Sequence, residues 1–130
     1  MRYVILALAL LPTAAQAQDA LDAAEFDALT RGQTFTYAES GTPYGAEEYL
    51  PDQRVRWSFL DGKCKAGRWW EQDGQICFVY EDNPVPQCWT FFDGPRGLTA
   101  RFESDPAATE LYAVDRSDEP LMCLGPDVGV

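Results

Sequence analysis

The chain contains no histidine among its 130 residues. Ser-His-Asp and Cys-His nucleophile arrangements and histidine-based metal sites are therefore excluded by residue type alone. Cations are scarce as well: 10 Lys and Arg stand against 21 Asp and Glu, a formal charge of −11. Nucleic acids and anionic membrane surfaces reward basic patches, which makes them poor partners for such a chain. No phosphate-cradling glycine loop, dinucleotide fingerprint or EF-hand loop occurs, and no two cysteines have C-x-x-C spacing. Long apolar runs are missing too. The longest, Tyr3 to Leu11, falls far short of the roughly 20 residues a spanning helix needs.

That short run reads instead as the centre of a secretory signal peptide, residues 1–17, with Arg2 before it and Ala15-Gln16-Ala17 as the cleavage site. Cleavage would leave Gln18 first, no lipoprotein cysteine at the junction, and 130 − 17 = 113 residues in one domain, 18–130. Its charge would be 9 − 21 = −12. The expected location is the periplasm or the medium. There, Cys64, Cys77, Cys88 and Cys123 imply two disulfides rather than four widely spaced zinc thiolates.

Most of the chain alternates apolar and polar residues in short runs broken by turn signals, which predicts an antiparallel β-meander. Asp19 to Thr30 is the only good helix candidate, with Leu21, Ala24, Ala28 and Leu29 able to share one side. Too short to be stable alone, it should pack across an open end of the sheet. Strands are expected over Thr34–Ala38, Tyr44–Leu50 with a bulge near Gly45, Arg54–Leu60, two runs flanking Asp73-Gly74, Cys88–Phe92, Leu98–Glu103 and Glu110–Val114. Turns are read at Gly41-Thr42-Pro43, Asp61-Gly62 and Asp93 to Gly97, a loop at Glu81–Gln87 with its two prolines, and a break at Asp105-Pro106. About eight strands in sequence predict a small up-and-down barrel or curled sheet with one N-terminal helix, a two-sheet sandwich being the alternative.

The Asp73-Gly74 hairpin fixes a register in which Gln72 faces Gln75, Trp70 faces Cys77 and Trp69 faces Phe78. Trp69, Ile76, Phe78 and Tyr80 then line the core side, and Trp70 lies with Cys77 on the other. Val55, Trp57 and Phe59 should point inward, and Arg54, Arg56 and Arg68 outward to pair with acids. Adjacent strands favour a Cys77–Cys88 bond, leaving Cys64 to hold the tail through Cys123. A Cys64–Cys77 bond would require Lys63 to Gly67 to fold back rather than extend.

What chemistry remains is carboxylate chemistry. Glu47, Glu48, Glu71, Glu81 and Asp82 stand near aromatics, and a glycosidase would use two carboxylates about 5 to 9 Å apart. Glu81-Asp82-Asn83 joined by Asp73 or Asp93 would offer oxygens to calcium, although a solvated acidic turn is the simpler reading. The alternating aromatics are read as a packed core. In a barrel wide enough to be hollow, they would line a pocket for an apolar ligand, with Tyr37, Tyr44, Tyr49 and Tyr80 as polar tips at its mouth. Tyr44, Glu47, Trp70, Glu71 and Glu81 are the candidate ligand or partner surface.

Five short elements follow one another along the chain: G-x-T-x-x-Y from Gly32, Y-G-x-E-x-Y from Tyr44, R-V-x-W from Arg54, G-x-C-x-x-G-x-W from Gly62 and I-C-F-x-Y-E from Ile76. By these the chain resembles small exported proteins of unknown function in alphaproteobacteria, from about Gly32 to Phe92. The resemblance implies export and a β-rich domain, and it assigns no activity to any residue. Lipocalin-like barrels are an architectural analogy only, since the G-x-W signature is not in place near the first strand. The functional expectation is a non-enzymatic binding or envelope-associated domain without a cofactor or metal, whose partner is a cationic protein or a small apolar ligand. Two alternatives are an acidic inhibitor of a cationic cell-wall hydrolase such as lysozyme, and a carboxylate-based hydrolase.

Overall fold

The computed structural model describes residues 19–104 and 109–123. The expected signal peptide and the Asp105-Pro106 break lie outside the described residues. One helix, α1 (Ala23–Thr30), precedes eight strands: β1 (Thr34–Glu39), β2 (Thr42–Leu50), β3 (Arg54–Ser58), β4 (Lys65–Gln72), β5 (Gln75–Tyr80), β6 (Asn83–Gly94), β7 (Gly97–Phe102) and β8 (Glu110–Ser117). Each strand pairs antiparallel with the next, and β8 returns to β1, closing the barrel. The expected up-and-down barrel is the observed fold, and the sandwich is not. An eight-stranded barrel is just wide enough for its interior to be filled by side chains or to hold one small ligand.

The Asp73-Gly74 turn holds the β4–β5 register as expected, with Trp70 opposite Cys77 and Trp69 opposite Phe78. Both turn residues have positive φ, 53° and 77°, the twist that two-residue hairpins require. Cys77 and Cys88 face each other on β5 and β6 and are bonded, and Cys64 is bonded to Cys123. The second bond draws the tail across the outside of the barrel. There the Thr34 hydroxyl donates to the Glu119 carbonyl at 2.7 Å, and the outward-facing Ala46 and Ser58 are buried.

Several expectations are corrected. The helix begins at Ala23, not Asp19, because Asp22 accepts from the Glu25 amide and Glu25 reaches back to the Asp22 amide, a reciprocal cap. Its buried residues are Phe26 and Thr30, four apart, whereas Ala24 and Ala28 are exposed. The first hairpin turns at Ser40-Gly41, and Thr42 and Pro43 belong to β2. β3 stops at Ser58, so Asp61-Gly62 sits in a longer loop rather than a tight hairpin, and Phe59 is half exposed at 49%. β6 runs through Pro84 and Pro86. The ladder to β5 is interrupted there, with Phe78 opposite Gln87 and Tyr80 opposite Asn83, so the prolines occupy positions where no amide is needed. Of the outward arginines, Arg56 pairs with Glu48 at 2.8 Å, but Arg54 lies opposite Arg68, and Arg68 lies over the Trp70 ring.

Candidate ligand-binding site

The two ends of the barrel are built differently. At one end α1 lies across the opening and sends Phe26, fully buried, inward against Tyr49, Trp69, Phe78 and Phe91, with ring centroids 4.6 to 6.4 Å apart. At the other end no element fills the interior among the described residues. A cup of about 350 Å³ opens there, its depth reaching Phe78, Phe91 and Leu111 and its rim formed by Phe59, Lys65 and Asp82. That volume lies in the lower part of the range of small-molecule sites.

Residue parity accounts for the lining. On β2 the inward positions are Gly45, Glu47 and Tyr49; opposite them stand Tyr37 and Phe35 on β1 and Trp57 on β3. Two glycines make room for the larger rings. A Cβ at Gly45 would run into the Trp57 indole and lie 2.7 Å from the Ser58 carbonyl oxygen. At Gly67 it would lie 2.6 Å from the Val79 carbonyl oxygen and 2.7 Å from the Tyr80 ring. Glycine at these positions lets Trp57 and Tyr80 lie close against the wall. The bulge in β2, where Tyr37 pairs with Gly45 and Ala38 with Pro43, leaves Tyr44 unpaired. Tyr44 packs at the rim with Trp57 and Phe59, with centroids 5.4 to 5.9 Å apart.

Within this aromatic wall, inward of Asp82 at the rim, sits the carboxyl group of Glu47. Glu47 is 2% exposed, and its Oε1 accepts from the Tyr80 hydroxyl at 2.8 Å. Its Oε2 is buried without a hydrogen-bond partner. Burial pushes the Glu47 carboxyl well above the usual carboxylate range, against the smaller opposing effect of the Tyr80 hydrogen bond. Below it the Tyr37 and Tyr49 hydroxyls are bonded to each other at 2.7 Å. Burial raises the phenols of Tyr37, Tyr49 and Tyr80 above their ordinary value, and nearby Glu47 adds to the effect. Three of the four tyrosines expected at the mouth therefore lie in the interior, and only Tyr44 lies at the rim. Lys65 lies over the Phe59 ring at 5.3 Å and pairs with Asp82 at 2.7 Å, so the rim's cation and anion are matched.

Of the candidate surface residues, the structure brings Tyr44 and Glu47 together at the cup. Trp70 lies on the outer face, its indole N–H donating to Gln72. Glu71 lies at the plugged end, where its carboxylate accepts from the Ala23 amide that opens α1. Glu81 lies in the β5–β6 turn, accepting from the Ala66 amide. Trp57, Phe59 and Trp89, first expected in a packed core and lining a pocket only in a hollow barrel, line the cup together with Tyr80. Parity held the signal: Gly45, Glu47 and Tyr49 alternate, so of two adjacent acids one had to face inward. The calcium constellation does not form, because Asp73 and Asp93 belong to strand ends at the plugged side and Glu81–Asp82 to the open side. Among the described residues no group of three or more metal-ligating side chains converges, and no helix is long and apolar enough to cross a membrane. No protein-family model matches the chain, and neither a curated protein nor a solved structure matches it.

Proposed function

We propose that this protein is an exported, non-enzymatic binding protein that holds one small ligand with a largely apolar body in the open end of its barrel. The observation that carries the reading is the cup itself, an aromatic-walled space of about 350 Å³ around a buried polar group. The two disulfides fit an oxidising compartment such as the periplasm. The outward strand positions carry Arg54, Arg56, Arg68 and Arg101 rather than the apolar band of a lipid-facing barrel. A paired-carboxylate hydrolase finds little support, since Glu48 points away from Glu47 and is held by Arg56.

Titration with an environment-sensitive naphthalene dye tests the reading. One dye should bind per chain, quench Trp57 or Trp89 emission and be displaced by the natural ligand extracted from periplasmic protein. Ala100→Phe, which places a ring in the cup, should abolish binding while leaving the far-ultraviolet spectrum intact. Undiminished binding to that variant, or no binding to the parent, overturns the proposal.

A further inference from the structure

The cup's contents can be narrowed by Glu47 Oε2, which has no hydrogen-bond partner among the described residues. We propose, on the reading of the cup as a ligand site, that it takes a protonated amine on a compact apolar body, with the N–H donating to Glu47 Oε2 and the aromatic walls facing the charged head.

The argument begins with Oε2. A buried carboxyl oxygen without a hydrogen bond is costly to leave unmet, and native structures hold few of them. Tyr80 donates to Oε1, one hydroxyl of the Tyr37–Tyr49 pair donates to the other, and no group among the described residues hydrogen-bonds to Oε2. The remaining oxygen is buried in the wall of a space open to solvent at its rim. A donor from outside is therefore the missing partner.

The surroundings select the donor's charge. Trp57, Tyr80, Tyr44 and Trp89 line the same space, and ring faces attract cations through their quadrupoles. The formal charge of −11 adds a long-range field that draws cations and repels anions. Among the described residues lining the cup, Lys65 is the cation and is already paired with Asp82, which leaves Glu47 without a charge partner there. An amine that retains an N–H meets both demands. A quaternary ammonium meets the rings but leaves Oε2 unpaired, and a neutral alcohol meets Oε2 without a charge.

Proton balance follows from the same geometry. In the empty cup the raised Glu47 pKa favours the neutral acid; the bound ammonium favours the carboxylate, so its arrival sends one proton to solvent over the range in which the acid was still protonated. The groups facing Glu47 are the phenols of Tyr37 on β1, Tyr49 on β2 and Tyr80 on β5, all raised and hence neutral throughout that range. The indole of Trp57 on β3 does not titrate. Proton release is thus assigned to Glu47.

The test compares 2-phenylethylamine with 2-phenylethanol and with N,N,N-trimethyl-2-phenylethylammonium by calorimetry, using the mature parent and Glu47→Gln. In the parent, the primary amine should bind at least about tenfold more tightly than the alcohol, the scale of one charge-assisted hydrogen bond, with the quaternary cation between them. Its heat should vary with the buffer's ionisation enthalpy, reporting proton release. Glu47→Gln should erase both the amine preference and the buffer dependence, its far-ultraviolet spectrum and its urea midpoint near pH 4 showing that it is folded. Equal affinity for amine and alcohol in the parent overturns the amine assignment and leaves the cup standing. An amine preference that survives in Glu47→Gln overturns the role of Glu47. If no probe binds and the naphthalene dye also fails, the cup reading falls with it.

Discussion

The two ends of this barrel spend the same kind of residue on opposite purposes. At the plugged end Phe26 supplies the ring that Tyr49, Trp69, Phe78 and Phe91 need, and the aromatic cluster becomes a closed core. At the open end Tyr44, Trp57 and Phe59 pack on one another beside the solvent, with Lys65 over the Phe59 ring and no further ring filling the space between the walls. The difference is one helix: α1 covers one opening, and among the described residues no element covers the other. Composition cannot separate the two ends; what separates them is whether a backbone element delivers one more side chain to the middle of the ring set. Stability should therefore concentrate at the plugged end and binding at the open one.

The largest expected effect breaks the plug. Phe26→Ala removes a fully buried ring from the centre of four others and should cost about 3 to 5 kcal/mol in urea unfolding. An equally large loss from Phe59→Ala, half exposed at the rim, would erase the distinction between the ends. A smaller effect is expected at Gly45, where a methyl group meets the Trp57 indole and the Ser58 carbonyl. Gly45→Ala should cost about 1 to 3 kcal/mol through overpacking and, by forcing the indole into the cup, weaken dye binding more than Phe26→Ala does per unit of stability lost. Tyr80→Phe should cost about 1 kcal/mol, the loss of the single hydrogen bond on Glu47 Oε1.

How far the sequence could be followed depended on how local the determining physics was. The Asp73-Gly74 register was readable because turn geometry and two-residue alternation act within one hairpin, and it carried the Cys77–Cys88 pairing with it. Strand count and contiguity narrowed the fold to a barrel or curled sheet, and the pairing of β8 with β1 decides for the barrel. Phe26 was overlooked because an eight-residue helix offers too few turns for its apolar side to declare itself; its inward face is decided by the opening it covers. Pro84 and Pro86 looked like breakers because a proline's missing amide matters only where a partner strand asks for it, and β5 does not. Glu47 was placed on the surface by chemical type although its parity matched Tyr49. Charge argued for solvent and alternation for the interior, and alternation prevailed.

The smallest change is expected from Glu47→Gln in acid, and its growth with pH is what carries information. Burial raises the folded-state pKa of Glu47 above that of the unfolded chain, so the folded protein holds this proton more tightly. The contribution is fully present below the unfolded value, about 4.3. As pH climbs from there the unfolded chain loses the proton first, so stability falls, until the folded carboxyl ionises as well. Glutamine keeps the acceptor for Tyr80 and has no proton to lose. Parent and variant should therefore unfold within about 0.5 kcal/mol of each other near pH 4. Above that the variant should become progressively the more stable, by at most about 1.4 kcal/mol per pH unit. Urea midpoints taken in steps from pH 4 to pH 8 measure the divergence. Parallel curves would mean that Glu47 is as well solvated as a surface acid, and the contrast between a dry plugged end and a cup with one unmet carboxyl oxygen would fail at its central residue.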